Sequence, residues 1–103
     1  MKIIEYQNSA KKENPFNADV RTLFSEKNIE ILHLDLEPEK MLARVIITND
    51  AFFYILEGEA EVIINEEIQM VRAEALIFCP ANSEHCINNH GKKRLRVLVI
   101  KLS

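Results

Sequence analysis

From residue 20 onward the apolar side chains fall into short runs, each closed by a turn signal, and several of them alternate with polar residues. In residues 29–36, Leu32, Leu34 and Leu36 lie on one face of a strand, because side chains two apart point the same way. His33 and Asp35 fall on the other face, an outer one, exposed or at a subunit contact. Residues 41–48, interrupted by Arg44 and closed by Thr48, and residues 52–56 are otherwise apolar runs, the pattern of strands covered on both sides or placed at a corner between sheets. Further β-type runs cover 60–64, 68–73, 76–79 and 95–102, separated by turn sequences at 57–59, 65–67 and 89–92. Residues 20–27 predict another strand, ending in a hairpin at Glu26-Lys27-Asn28. No segment carries a sustained helical period.

Many short strands with frequent turns predict an all-β antiparallel sandwich or barrel. Residues 1–19 are mixed and polar, with Asn14-Pro15 among them, and read as an N-terminal arm or edge segment. Residues 20–103 form the barrel domain. Only two glycines serve all the turns. Asparagine is the next most tolerant residue at positive φ, so Asn28, Asn65, Asn82 and Asn89 are expected to stand in for glycine.

At 103 residues the chain is a single domain with one modest core. Its 28% charged content and net charge of −3 argue against disorder and give no electrostatic reason to expect nucleic acid or an anionic membrane as partner. No apolar run approaches the roughly 20 residues that span a bilayer, and the first residues lack the apolar core of a secretion signal. A cytoplasmic protein is expected. Cys79 and Cys86 are too few for a disulfide scaffold and lack the close-set pairs of a zinc site, so both are expected as reduced thiols.

Three segments resemble one known family. They are Phe53-Tyr54-Ile55-Leu56-Glu57-Gly58-Glu59, the loop from Pro80 to Asn89, and Leu95-Arg96-Val97-Leu98-Val99. Together they resemble the cupin superfamily, and more narrowly its small single-domain bacterial and archaeal members. The resemblance implies a cupin-type jelly-roll barrel (a double-stranded β-helix), commonly a homodimer. In the second cupin motif Pro80, His85 and Asn89 match at the family spacing, while Glu74 and Asn82 stand where the family has glycines. In the first motif only Gly58 matches. Glu39 stands at the leading glycine and Ala51 at the glutamate. Val45 and Ile47 stand at the two histidines in the shorter register, Arg44 and Ile46 in the longer one. Typical members hold a transition metal with histidines and that glutamate. Here the ligand set is reduced to His85, so no metal and no cofactor is expected.

His85 is therefore the central candidate residue. Its functional reading is a pocket imidazole acting as general acid, general base or hydrogen-bonding group. Its structural reading is a partly buried histidine held by the loop. Asp50 is the candidate carboxylate partner for a metal-independent isomerase or epimerase, provided that residues 48–51 form a loop. A noncanonical metal site would need His85 and Cys86 side by side. If Ala51 faces inward, so do Phe53 and Ile55. With Val45, Ile47 and His85 they outline a largely apolar interior, so the domain is expected either to bind a small, unidentified molecule there or to serve as a structural module with no ligand. Phe52, Tyr54 and Phe78 are read as core. The basic stretch His90, Lys92, Lys93, Arg94 and Arg96 reads as a solvated turn.

Overall fold

The computed structural model describes residues 1–103. Its nine strands are β1 (Asp19–Glu26), β2 (Ile29–Leu36), β3 (Met41–Ile47), β4 (Ala51–Glu57), β5 (Glu59–Ile64), β6 (Glu67–Arg72), β7 (Leu76–Cys79), β8 (Ser83–Asn88) and β9 (Leu95–Leu102). They pair antiparallel in a five-stranded sheet, order β1-β2-β9-β4-β7, and a four-stranded sheet, order β3-β8-β5-β6. From β2 onward the chain passes repeatedly between the sheets, which makes a jelly-roll barrel. The only helical element is one 3-10 turn at Tyr6–Asn8.

Alternation decides what enters the core. Leu32, Leu34 and Leu36 of β2, Ala51, Phe53 and Ile55 of β4, and Leu95, Val97 and Val99 of β9 all turn inward and are buried. Ala60, Val62 and Ile87 face them from the other sheet. The apolar area taken from water by this cluster is the main source of stability.

In β3 the alternation is interrupted. The register with β8 shifts between Leu42 and Val45, a β-bulge that holds Arg44 at φ 53°. The bulge lets Leu42, Val45 and Ile47 all serve the interior. Residues 41–48 read as a strand covered on both sides or placed at a corner between sheets. Met41 and Ile46 are 46% and 59% exposed, because they point to the outer face of the sheet, which no further layer covers.

Two outer-face expectations also need correcting. His33 lies on the outer face but is 2% exposed. The ring of Tyr6 from the N-terminal segment covers it, centroids 4.1 Å apart. Phe78 is not core: it is 52% exposed, and it lies beside the half-buried Phe52 on the outer face. Only Phe53 of the four aromatics at 52–54 and 78 is fully buried.

Residues 1–18 do more than an arm would. The Lys12 N–H donates to the Val20 carbonyl at 2.6 Å, and Lys11 bridges to Arg21, so the segment pairs with β1 of its own chain. Asn14 then builds a turn. Its Oδ1 accepts from the N–H groups of Phe16 and Ala18, both at 3.1 Å, and its Nδ2 donates to the Ala18 carbonyl. The turn seats Phe16 and Ala18 against the core.

The turns use fewer asparagines than expected. Asn65 (φ 54°) and Asn82 (φ 64°) take the left-handed region, whereas Asn28 and Asn89 do not. Glu39 and Glu74, the residues at the two motif glycines, both sit at φ 70°. The backbone of the glycine motif is kept although its glycines are not. At Gly58 (φ 89°) a side chain would also lack room: a Cβ there would come within 2.5 Å of the Arg94 carbonyl oxygen.

Candidate functional site

Between the sheets, at one end of the barrel, lies an open-mouthed cavity of about 460 Å³. Its wall is mainly apolar, with Leu42, Val45, Ile47, Phe53 and Val99 among the lining residues and His85 with them. Lys12 to Phe16 form one lip, so the N-terminal segment is part of the site. Of the pocket residues expected from the sequence, Val45, Ile47, Phe53 and His85 line the cavity. Ala51 and Ile55 share the inward face of Phe53 but are packed into the core with no exposure.

His85 sits on β8 directly across from Val45 of β3. It is 6% exposed, and its ring lies against Phe53 with centroids 4.9 Å apart. Burial, with the positive charge of Lys101 as a second cause, lowers its pKa to about 4. At neutral pH the ring is uncharged and one of its nitrogens is bare.

A chain of hydrogen bonds assigns which one. The hydroxyl of Ser83 donates to the Pro80 carbonyl, which can only accept. The thiol of Cys79, 3.4 Å from Ser83 Oγ, must then donate to that oxygen. The sulfur is left to accept from His85 Nδ1–H, 3.8 Å away. Nδ1 therefore carries the proton. Nε2, which has no protein partner and is not among the sealed-off polar atoms, presents its lone pair to the cavity.

Cys79 and Ser83 were not among the expected site residues. Cys79 is on β7 of one sheet and His85 on β8 of the other, and the turn through Asn82 brings them together. Cys86, the cysteine adjacent in sequence, points the other way and donates to Asn88 Oδ1 at 3.1 Å. Both cysteines are free. Residues 48–50 do form a loop, as the candidate dyad of Asp50 and His85 required, but the structure gives no hydrogen bond between the two. The Asp50 carboxylate is exposed and accepts the Ala81 N–H at 2.9 Å, closing the start of the same loop. Asn89, fully inside, donates from Nδ2 to the carbonyls of Leu36 and Lys93, both at 2.9 Å, and accepts the Gly91 N–H. It ties the end of β8 to the end of β2.

The basic stretch beyond β8 is largely paired with acids. Arg94 binds Asp35, Arg96 approaches Glu57 at 3.4 Å, and His90 meets Glu61 at 3.1 Å. No helix is long and apolar enough to cross a membrane.

Residues 36–101 match the family model described as the cupin domain. The chain belongs to the cupin family. Solved structures agree on the fold. The TT1209 protein of Thermus thermophilus is 23% identical at TM-score 0.84, over 99% of this chain and 97% of its own. An RmlC-like cupin family protein with a double-stranded β-helix fold from Methanocaldococcus jannaschii is 19% identical at TM-score 0.83, over 99% and 90%. The polyketide cyclase RemF of Streptomyces resistomycificus is 16% identical at TM-score 0.83, over 99% and 79%. No curated protein matches the chain by sequence.

The metal that the family implies does not suit this cupin's side chains. Val45 and Ile47 face inward at the places of two ligands and Ala51 at a third, leaving His85 alone. No three His, Cys, Asp or Glu side chains converge anywhere in the chain. One imidazole has little hold on a divalent ion that water also solvates.

Proposed function

We propose that this cupin is a metal-free, cytoplasmic, homodimeric protein that binds a small, largely apolar molecule between its sheets. The observation that carries the reading is the cavity of about 460 Å³, open to solvent and lined chiefly by aliphatic and aromatic side chains around one neutral imidazole. A void of that size and character is the usual form of a small-molecule site. A packed structural module would have filled it.

Tyrosol, a neutral aromatic alcohol of suitable size, is the probe. On titration it is expected to shift the NMR resonances of the cavity residues Leu42, Val45, Ile47, Phe53, His85 and Val99 more than those of residues outside the cavity. Elemental analysis of untagged protein is expected to show transition metal far below one per chain. Near-stoichiometric metal that disappears in His85→Ala would overturn the metal-free reading.

The homodimer reading is supported by the outer face of the five-stranded sheet. Leu76 and Phe78 of β7 are 60% and 52% exposed there, continuous with Phe52, Tyr54, Leu98 and Ile100 across β4 and β9. Apolar surface of this extent, beyond the part that the N-terminal segment covers, fits a second copy of the chain. Light scattering at micromolar concentration is expected to give twice the monomer mass, and Phe78→Lys to halve it.

One observation favours a second reading, a metal-independent isomerase or epimerase. The bare Nε2 of His85 faces the cavity and can take a proton from a bound substrate. Asp50 would not be its partner. Failure to accelerate solvent-deuterium exchange at the carbon α to the carbonyl of any bound keto acid would remove this reading.

A further inference from the structure

We propose that the molecule bound in the cavity is a small organic anion, with its carboxylate against Lys101 and a hydrogen-bond donor on its apolar body against Nε2 of His85. The inference rests on the small-molecule reading above and adds the ligand's chemical class.

The first observation is the register of Lys101. On β9, Leu95, Val97 and Val99 all turn into the core. Lys101 is next in that series and is paired across the sheet with Ala51, itself fully buried and inward-facing. Alternation therefore carries a lysine to the inside of the barrel wall, where it lines the cavity. Its side chain is 29% exposed. An ammonium so placed loses part of its hydration and needs compensation. Glu30 supplies only some: its carboxylate lies 3.7 Å from Lys101 Nζ and also 3.9 Å from Lys12 Nζ. One carboxylate is shared by two ammoniums, each with N–H donors to spare.

The second observation is the charge around the opening. Lys12, Arg44 and Lys101 line the cavity, against Glu13 alone among the acids. Arg44 is brought there by the β3 bulge, and its nearest acid, Glu84, is 3.9 Å away on the exposed surface. With Glu30 and Glu84 counted the formal charges around the opening balance, so the preference for an anion comes from Lys101 on the interior wall, whose one carboxylate partner is shared with Lys12.

The third observation concerns His85. With Nδ1–H committed to Cys79, Nε2 can only accept. It cannot take the carboxylate oxygen, and it suits an O–H or N–H elsewhere on the guest. Cation and acceptor face one apolar volume, so the guest carries an acid at one point and a donor at another.

The test uses the full chain and three matched probes: 4-hydroxyphenylacetate (acid and donor), phenylacetate (acid only) and tyrosol (donor only). Affinities are read by NMR titration. We expect 4-hydroxyphenylacetate to bind at least tenfold tighter than tyrosol and several-fold tighter than phenylacetate. In Lys101→Met the advantage of the acid over tyrosol is expected to vanish while tyrosol binding persists, which also shows that the variant is folded. In His85→Phe the advantage of the hydroxyl is expected to vanish. Equal binding of tyrosol and 4-hydroxyphenylacetate by the unaltered protein overturns the anion inference and leaves the small-molecule reading standing. Failure of all three probes to bind overturns both.

Discussion

Arg94 Nε donates to both carboxylate oxygens of Asp35, at 2.8 and 2.9 Å, across 59 residues of sequence. The two ends of this pair differ in burial. The Asp35 side chain is 8% exposed and that of Arg94 52%. The Tyr6 hydroxyl also donates to Asp35, at 3.3 Å, so the pair anchors the N-terminal segment as well. Removing the guanidinium strands a buried charge, whereas removing the carboxylate returns an arginine to water. Asp35→Asn is therefore expected to cost about 1–2 kcal/mol in urea unfolding, and Arg94→Met clearly more. Equal costs would show that the pair is worth only its surface part. The Arg94 hydrogen bonds, opposed by burial, hold the Asp35 pKa below the usual carboxylate range. That contribution is complete above about pH 4 and fades as pH falls through the lowered value.

His85 gives a pH dependence in a different window. Its pKa falls from 6.5 in the unfolded chain to about 4 in the fold. Between these values the unfolded state binds the extra proton, so stability rises with pH and is lost on acidification. Going from pH 7 to pH 5 is expected to cost about 2 kcal/mol through this residue. His33, also pushed down by burial and then by Arg96, acts in the same direction. Unfolding free energies at the two pH values should converge in His85→Phe, apart from the part due to His33.

The two glutamates at glycine positions set up a third expectation. Glu39 and Glu74 are exposed, make no side-chain hydrogen bond, and hold φ 70°. A left-handed conformation costs a non-glycine residue about 1–2 kcal/mol, and the greater freedom of glycine in the unfolded chain offsets part of the gain. Glu39→Gly and Glu74→Gly are each expected to raise stability by about 0.5–1 kcal/mol. Gly58→Ala should do the reverse, by about 2 kcal/mol or more, since its new methyl meets the Arg94 carbonyl. Thermal melts of the three variants decide the matter.

The thiol beside His85 is expected to set its tautomer. In the intact protein the ring nitrogens should give the NMR signature of a proton on Nδ1. Cys79→Ala removes the acceptor and should shift the population toward Nε2–H, with stability lowered by about 1–2 kcal/mol through the lost buried volume. An unchanged tautomer would mean that the Cys79 sulfur does not hold the proton on Nδ1.

Much of the barrel is legible in the chain because a strand's facing has a period of two. Leu32, Leu34 and Leu36, or Val97 and Val99, cannot all leave water unless the strand lies with that face inward. His33 shows the limit of the same rule. Its face follows from alternation, but its burial depends on Tyr6, which is distant in sequence and belongs to a segment with no apolar pattern. Phe78 fails in the opposite direction. Its hydrophobicity suggests core, yet β7 is an edge strand and the residue falls on the outer face. Asn14-Pro15 read only as part of a polar arm; that Asn14 builds a turn forming one lip of the cavity depended on where β1 and β3 come to lie.

The amino-acid order was enough for every strand except β8, which lies inside the stretch read as the loop from Pro80 to Asn89, for the family, and for the loss of the metal ligands, since Val45, Ile47 and Ala51 have no donor atoms in any fold. It took the assembled barrel to show that Cys79 rather than Cys86 faces His85, that Asp50 is spent on Ala81, and that Lys101 reaches the interior wall. Those relationships join strands from different sheets or distant segments. They are fixed by crossovers and by the β3 bulge, which local patterning does not encode.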